Sequence, residues 1–274
     1  MASFDFIDAS AKGYEAIWFE RSYLFRVAIP VFFVKTACIL AIIVFGAETK
    51  FLMQGLISLP GNVLEAIFII GLIRFTLYRE PIFIWGKTIP MPDGKPLVEP
   101  YFGWMDRLRS YKAAIILYLL IKVIQLGFSG SMMDMIPGLE ATVAQEPSAP
   151  GLPPLIGGIL MFGFLAMMVW VFRLFFLFIP LAMGVEPLRF LKRISGFQIC
   201  APMLATWFIC FFPLFILFIG AMNILIIPFP QGGVSYILMR AVVEGFSETV
   251  ILSVQAVAMA FGFNEILNGK KNTE

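Results

Sequence analysis

Long apolar stretches alternate with short polar connections along almost the whole chain. A helix needs roughly 20 apolar residues to cross the hydrocarbon core of a bilayer. Six stretches reach that length, at about 23–46, 58–78, 113–134, 155–180, 201–227 and 235–262. The pattern predicts an all-α, polytopic membrane helix bundle with six transmembrane helices, which forms a single membrane domain over residues 1–274.

Composition supports this fold class and narrows the chemistry. Hydrophobic residues make up 60% of the chain and charged residues 14%, against roughly 25% charged residues in a soluble domain. There is no histidine, which removes most zinc sites, Ser-His-Asp triads and His-ligated haem. The sequence also lacks the phosphate-loop, HExxH and G-x-S-x-G motifs. We therefore expect no enzymatic activity, no metal, no cofactor and no nucleic-acid partner.

Basic residues concentrate in alternate connections between the apolar stretches. Segments 79–112 and 184–200, the N-terminal segment and the C-terminal tail are basic, whereas the opposite connections carry only Lys50. Lys and Arg accumulate on the cytoplasmic side of membrane proteins. The six-span arrangement therefore predicts that both ends of the chain lie in the cytoplasm. The early acidic residues do not fit a cleaved signal peptide, so we expect the first span to be retained.

Three similar segments precede spans one, three and five, at 19–23, 107–111 and 191–197. In this alignment Lys35 of the first span corresponds to Lys122 of the third. One interpretation is three tandem hairpins, each preceded by an amphipathic segment at the membrane interface. The other is that the inner end of any span attracts Arg and aromatic residues. The amphipathic segments would anchor the bundle or dock a partner.

Several ionisable residues fall at bilayer depth. Inserting each of them there costs on the order of 3 kcal/mol of free energy, so each requires a partner or a functional role. They form a predicted intramembrane polar centre of Lys35, Glu65, Lys122, Arg240, Glu244 and Glu248.

Spacing and depth suggest how these charges pair. Arg240, Glu244 and Glu248 follow an i, i+4, i+8 pattern that places them on one helix face. One of the two acids can pair with Arg240, and Lys122 is the natural base for the other. Lys35 and Glu65 lie at similar depths in the first hairpin and can also pair. Structural pairing and an ion- or proton-coupled pathway both remain open.

Three further arginines lie toward the predicted cytoplasmic ends of their spans, namely Arg26, Arg74 and Arg173. Their long side chains can reach the headgroup region and anchor the helices. A guanidinium group also matches the geometry of a lipid phosphate, so these residues are candidate lipid headgroup contacts.

Residues 173–184 read Arg-Leu-Phe-Phe-Leu-Phe-Ile-Pro-Leu-Ala-Met-Gly, and Glu186-Pro-Leu and Ile194-Ser-Gly follow. The pattern resembles uncharacterised bacterial six-helix inner-membrane proteins similar to the membrane domain of glycerophosphodiester phosphodiesterase. In that family an Arg and a Pro late in the fourth span precede a Ser-containing basic stretch that enters the fifth. Phe197 departs from the family, in which a Trp often stands near the Ser. The resemblance implies a multi-pass protein of the bacterial inner membrane, without a settled activity.

Two functions follow from these features. The first is a non-enzymatic membrane protein that organises lipid, such as anionic lipid, or a partner, which would be another membrane protein or a second copy of the chain. The alternative is a transporter or permease subunit that uses the polar centre. The two differ in one structural property: a transporter needs a water-accessible cavity that reaches the charges, whereas a scaffold can keep them paired and dry.

Overall fold

The structure is a computed structural model that describes residues 4–48, 50–83, 92, 107–144, 172–194, 197–230 and 233–268. All regular elements in these ranges are helical. They are α1 (Phe6–Phe19), α2 (Arg21–Val44), α3 (Phe51–Tyr78), α4 (Arg107–Ala144), a 3-10 turn (Arg173–Phe176), α5 (Phe178–Ala182), α6 (Pro187–Arg193), α7 (Phe197–Ile226) and α8 (Val234–Asn268).

Four helices in the described part of the chain are long and apolar enough to cross a membrane. They are α2, α3, α7 and α8, and they coincide with the predicted spans one, two, five and six. Helix α4 contains the predicted third span, 113–134, but continues to Ala144. The predicted fourth span, 155–180, lies outside the described residues up to 171, and the 3-10 turn and α5 form its end. The fold is that of a multi-pass helical membrane protein.

Helix α8 lies at the centre of the bundle and packs against α1, α2, α3, α5 and α7. Glycines allow its closest contacts. A Cβ atom at Gly245 would lie 2.8 Å from the hydroxyl oxygen of Thr36 in α2. A Cβ atom at Gly13 of α1 would lie 2.7 Å from the Cβ of Ala258. Small residues of this kind let membrane helices approach at backbone distance.

Helix α1 is too short to cross a bilayer and docks on α7 and α8. Asp5 begins it by accepting hydrogen bonds from the amides of Ile7 and Asp8. The Tyr14 hydroxyl donates to two backbone carbonyls of α7, each at 3.1 Å. Burial, together with the nearby Cys210, raises the pKa of Tyr14 to about 12. Trp18, one turn further along α1, is exposed, as is typical of an interfacial helix.

Candidate functional site

Two lysines and two glutamates from four helices form a closed ring of ion pairs. Lys35 of α2 contacts Glu65 Oε1 in α3 and lies 3.0 Å from Glu248 Oε2 in α8. Lys122 of α4 lies 3.1 Å from Glu65 Oε2 and 3.2 Å from Glu248 Oε1. Each of the four carboxylate oxygens therefore has an ammonium partner, and the ring is formally neutral. We call these four residues the ion-pair ring.

The two glutamates of the ring have different surroundings. Glu65 is completely buried and accepts a further hydrogen bond, 2.9 Å long, from the Tyr118 hydroxyl. The Tyr118 ring packs edge-to-face on Phe178, with the ring centroids 5.0 Å apart. Glu248, in contrast, is 47% exposed. A buried carboxylate needs several donors to offset its loss of hydration, and Glu65 has three.

Close helix packing on both sides fixes the position of Lys35. Gly61 lies one turn before Glu65, and a Cβ atom there would lie 3.5 Å from the Lys35 Cα. Gly245, on the other side, faces Thr36, the neighbour of Lys35. The backbones of α3 and α8 therefore approach α2 beside this lysine. Its ammonium group is held between the carboxylates that those two helices contribute.

A second group of charges continues along α8. Arg240 Nε lies 2.8 Å from Glu244 Oε1, and Arg240 Nη2 lies 3.1 Å from Glu48 Oε1 in the connection between α2 and α3. Glu244 is one helical turn from Glu248 of the ring. The six residues of the predicted polar centre therefore fall into a ring of four and an adjacent Arg–Glu pair.

A cavity of about 770 Å³ reaches both groups of charges. Volumes of roughly 300–1,000 Å³ are common for small-molecule sites. A charged side chain at membrane depth must face protein partners or water. Glu248 has its two lysine partners, and its exposed side faces the cavity. The polar lining of the cavity consists of Lys35, Glu48, Gln54, Ser58, Asn62, Lys122, Gln125, Arg240, Glu244, Ser247 and Glu248, and its apolar walls include Ile39, Ile42, Leu59, Leu119, Leu126 and Ile251.

A smaller cavity, of about 230 Å³, adjoins the larger one and shares Lys122, Gln125 and Leu252 with it. Aromatic rings form much of its wall, so we call it the aromatic cavity; they belong to Tyr118, Phe172, Phe175, Phe176, Phe178 and Trp207. Gln255 also lines it. Gln255 is buried, and its amide nitrogen has no hydrogen-bond partner in the described part of the chain. Lys122 therefore lies between a polar and an aromatic space.

The three arginines expected at lipid headgroups have different surroundings. Arg26 is exposed, and only the backbone of Arg173 is described. Arg74 is buried: its Nε and Nη2 bind Glu80 at 2.7 and 3.0 Å, and its Nη1 donates to the carbonyl of Ala182 at 2.8 Å. The Arg74 guanidinium thus binds protein rather than lipid phosphate, because the left-handed residue Arg79 turns the chain and brings Glu80 back to it.

Arg74 belongs to a second buried polar cluster at the end of α5. The last carbonyls of a helix have no partner within the helix. Here three of them accept hydrogen bonds from other helices: Leu181 from Ser110, Ala182 from Arg74 and Met183 from Tyr78. The cluster joins α3, α4 and α5, and this structural role accounts for the buried charge of Arg74.

Two participants of the site were not predicted from the sequence, Tyr118 and Glu48. Tyr118 lies one helical turn before Lys122. The i, i+4 spacing from a lysine at membrane depth could therefore have indicated that Tyr118 belongs to the site. Glu48 lies in a connection, where spacing gives no such guide.

The chain was also compared with protein-family models, with curated proteins and with solved structures, and none of them matches it. The description therefore rests on the fold and on the geometry of the site.

Proposed function

We propose that the protein is a transport protein, or a membrane subunit of a permease, in which the polar cavity gives a solute access to the ion-pair ring. The observation that carries this proposal is that Glu248 belongs to the ring and is also exposed to the cavity. A ring with a purely structural role would gain from burying Glu248 as completely as Glu65, since water competes with ion pairs that it can reach.

We further propose that the chain crosses the bacterial inner membrane six times, as three hairpins, with both ends in the cytoplasm. The distribution of Lys and Arg supports the orientation. The resemblance noted for residues 173–196 supports the assignment to the bacterial inner membrane. In this orientation the connection that carries Glu48 faces outward. The cavity would then extend from the outer surface to the ring. A C-terminal fluorescent protein that matures only in the cytoplasm tests the position of the tail.

Chemical labelling tests whether water reaches the ring from the outer side. Ser247 lines the cavity, whereas Ser253, on the same helix, is buried. In a cysteine-free background, Ser247→Cys should react with a membrane-impermeant, charged thiosulfonate that is added outside the cell, and Ser253→Cys should not. If Ser247→Cys is as unreactive as Ser253→Cys, the ring is dry and the transport proposal is wrong.

Proton movement tests transport itself. Purified protein in vesicles with a trapped pH-sensitive dye should dissipate a pH gradient when solutes are added in turn, and Glu248→Gln should abolish that response. Glu15→Gln is the matched control, because Glu15 is an exposed residue of α1 outside the cavity. Equal responses from Glu248→Gln and the wild type would contradict a role of Glu248 in coupled transport.

A second candidate function, organisation of lipid or of a membrane-protein partner, rests on α1. Its exposed edge carries Trp18 and Phe19, and the Arg21 guanidinium lies 4.6 Å from the centroid of the Trp18 ring. Such an edge suits the headgroup region. Purification from native membranes, followed by mass spectrometry of retained lipids and proteins, tests this function. A Trp18→Ala variant should lose a specific anionic lipid or partner if α1 binds it.

A further inference from the structure

We infer that the transported solute is a small organic monocarboxylate, whose carboxylate replaces that of Glu248 between Lys35 and Lys122 while Glu248 takes up one proton. This inference rests on the proposed transport function and names the class of substrate for the same site. It follows from the unequal attachment of the two glutamates, from the charge balance of the ring and from the walls on either side of Lys122.

Glu248 is the member of the ring that can be displaced. Glu65 is fully buried and held by two lysines and the Tyr118 hydroxyl. The polar contacts of Glu248 in the described part of the chain are the two lysines, at 3.0 and 3.2 Å. The Glu248 carboxylate also faces the cavity, from which another carboxylate can approach the same two ammonium groups. The Glu248 carboxylate thus occupies the position between the two lysines that the carboxylate of a ligand could take.

The charge balance of the ring selects a single negative charge. Lys35 and Lys122 together carry two positive charges, and Glu65 neutralises one of them. If the Glu248 side chain withdraws, one positive charge remains. A monocarboxylate neutralises it, whereas a doubly charged phosphate leaves an excess negative charge in a largely apolar setting, which is costly. A cation would meet two ammonium groups.

The withdrawn Glu248 must then become neutral. Toward it face Lys35 from α2, Lys122 from α4 and, along α8, Glu244 and Arg240. The two lysines would bind the solute, and Arg240 is occupied by Glu244 and Glu48. No other base within the described residues contacts Glu248, so its carboxylate takes up a proton that enters from the bulk solution through the cavity. One proton would thus accompany one monoanion, and the loaded site would remain neutral.

The surroundings of Lys122 suit an acid with a compact apolar body. On its far side lies the aromatic cavity of about 230 Å³, which is lined by Trp207 and by Gln255, whose amide nitrogen has no hydrogen-bond partner among the described residues. A carboxylate bound at Lys122 could place a ring or a branched chain there. An uncompensated buried amide costs roughly 1–3 kcal/mol, so an oxygen of the solute could compensate Gln255 as well.

Binding of benzoate tests the inference directly. We use the full chain in lipid nanodiscs and measure benzoate binding by calorimetry in two buffers of different ionisation enthalpy. The wild type should take up about one proton for each benzoate bound. Glu248→Gln should bind benzoate roughly tenfold more tightly or better and take up no proton, because no internal carboxylate competes for the lysines. Glu15→Gln should match the wild type.

Ligands of other charge serve as negative controls for benzoate binding. Inorganic phosphate, benzylammonium and benzyl alcohol should bind at least about tenfold more weakly than benzoate. The inference is overturned if any of them binds as well as benzoate, or if Glu248→Gln binds benzoate no more tightly than the wild type. The variant's thermal unfolding with and without benzoate gives a second measurement: benzoate should stabilise Glu248→Gln more than the wild type, and an equal or smaller shift contradicts the inference.

The labelling of Ser247→Cys separates the two possible failures. If that residue is labelled from outside but benzoate does not bind either protein, the substrate class is wrong and the transport proposal stands. If Ser247→Cys is not labelled, the transport proposal itself fails, and the inference fails with it.

Discussion

Replacing Lys35 with methionine should destabilise the protein by about 3–5 kcal/mol, the cost of removing one partner from a buried ion pair. Methionine retains most of the volume of the lysine stem, so the packing of α2 against Gly61 and Gly245 is preserved. What changes is the charge. Glu65 and Glu248 would then share Lys122 as their common lysine, and the ring would carry a net negative charge at membrane depth.

The magnitude follows from the contacts of Lys35. Two unit charges about 4 Å apart attract by about 4 kcal/mol at an effective dielectric constant of 20, and Lys35 contacts both Glu65 and Glu248. The loss of both attractions is partly offset because Lys35 no longer repels Lys122. It is offset further because no ammonium group has to be desolvated. The net loss therefore falls well below the sum of the two attractions.

The assay is reversible unfolding in mixed detergent micelles, followed by tryptophan fluorescence. Lys12→Met is the matched control, because Lys12 pairs with Asp8 on an exposed face of α1 and should cost less than about 1 kcal/mol. Adding Glu248→Gln to Lys35→Met restores neutrality and should recover about half of the loss. The reasoning is refuted if Lys35→Met costs no more than Lys12→Met, or if the second substitution adds a further loss.

Three other substitutions test the surrounding structure. Arg74→Gln should lower the unfolding free energy by about 3 kcal/mol or more, because it removes a buried charge from its carboxylate partner; a loss under about 1 kcal/mol would contradict the buried pair. Gly13→Leu should displace α1 from Ala258 and speed amide hydrogen exchange in α1, whereas Gly220→Leu, with nothing within 4 Å of its Cβ position, should not. The pKa of Tyr14 is raised from 10.0 to about 12, so its contribution to stability is complete below pH 10 and is lost as the pH rises toward 12. Tyr14→Phe should therefore remove part of the alkaline loss of stability, and an unchanged alkaline profile would show that Tyr14 does not cause it.

The sequence was informative about the members of the site and less so about their arrangement. Helical spacing placed Arg240, Glu244 and Glu248 on one face, and depth counted along the helices placed Lys35 and Glu65 at similar depths. Closure of the ring depends on how far each helix is rotated about its own axis. That rotation is set by close contacts between distant segments, which the spacing within one helix does not encode.

Two differences between prediction and structure have physical causes. Hydropathy predicted the end of the third span at 134 because it reports where apolar residues stop, whereas the helix α4 itself extends to Ala144. Arg74 was a candidate for anchoring its helix or for contacting a lipid headgroup, because it lies near the end of a span. Its protein partners depend on the turn at Arg79 and on the carbonyls of α5, which lie far away in the sequence.

The two buried charged clusters can be distinguished by what surrounds them. The Arg74 cluster binds helix-end carbonyls and a nearby carboxylate, so its charge completes the structure. The ion-pair ring satisfies its own charges, but one of its carboxylates faces a cavity. A buried ion pair is seldom more stabilising than apolar residues of the same shape, so stability alone does not account for four charges at membrane depth. The proposed transport function would account for them through the open side of the ring, where a solute would replace Glu248 between the two lysines.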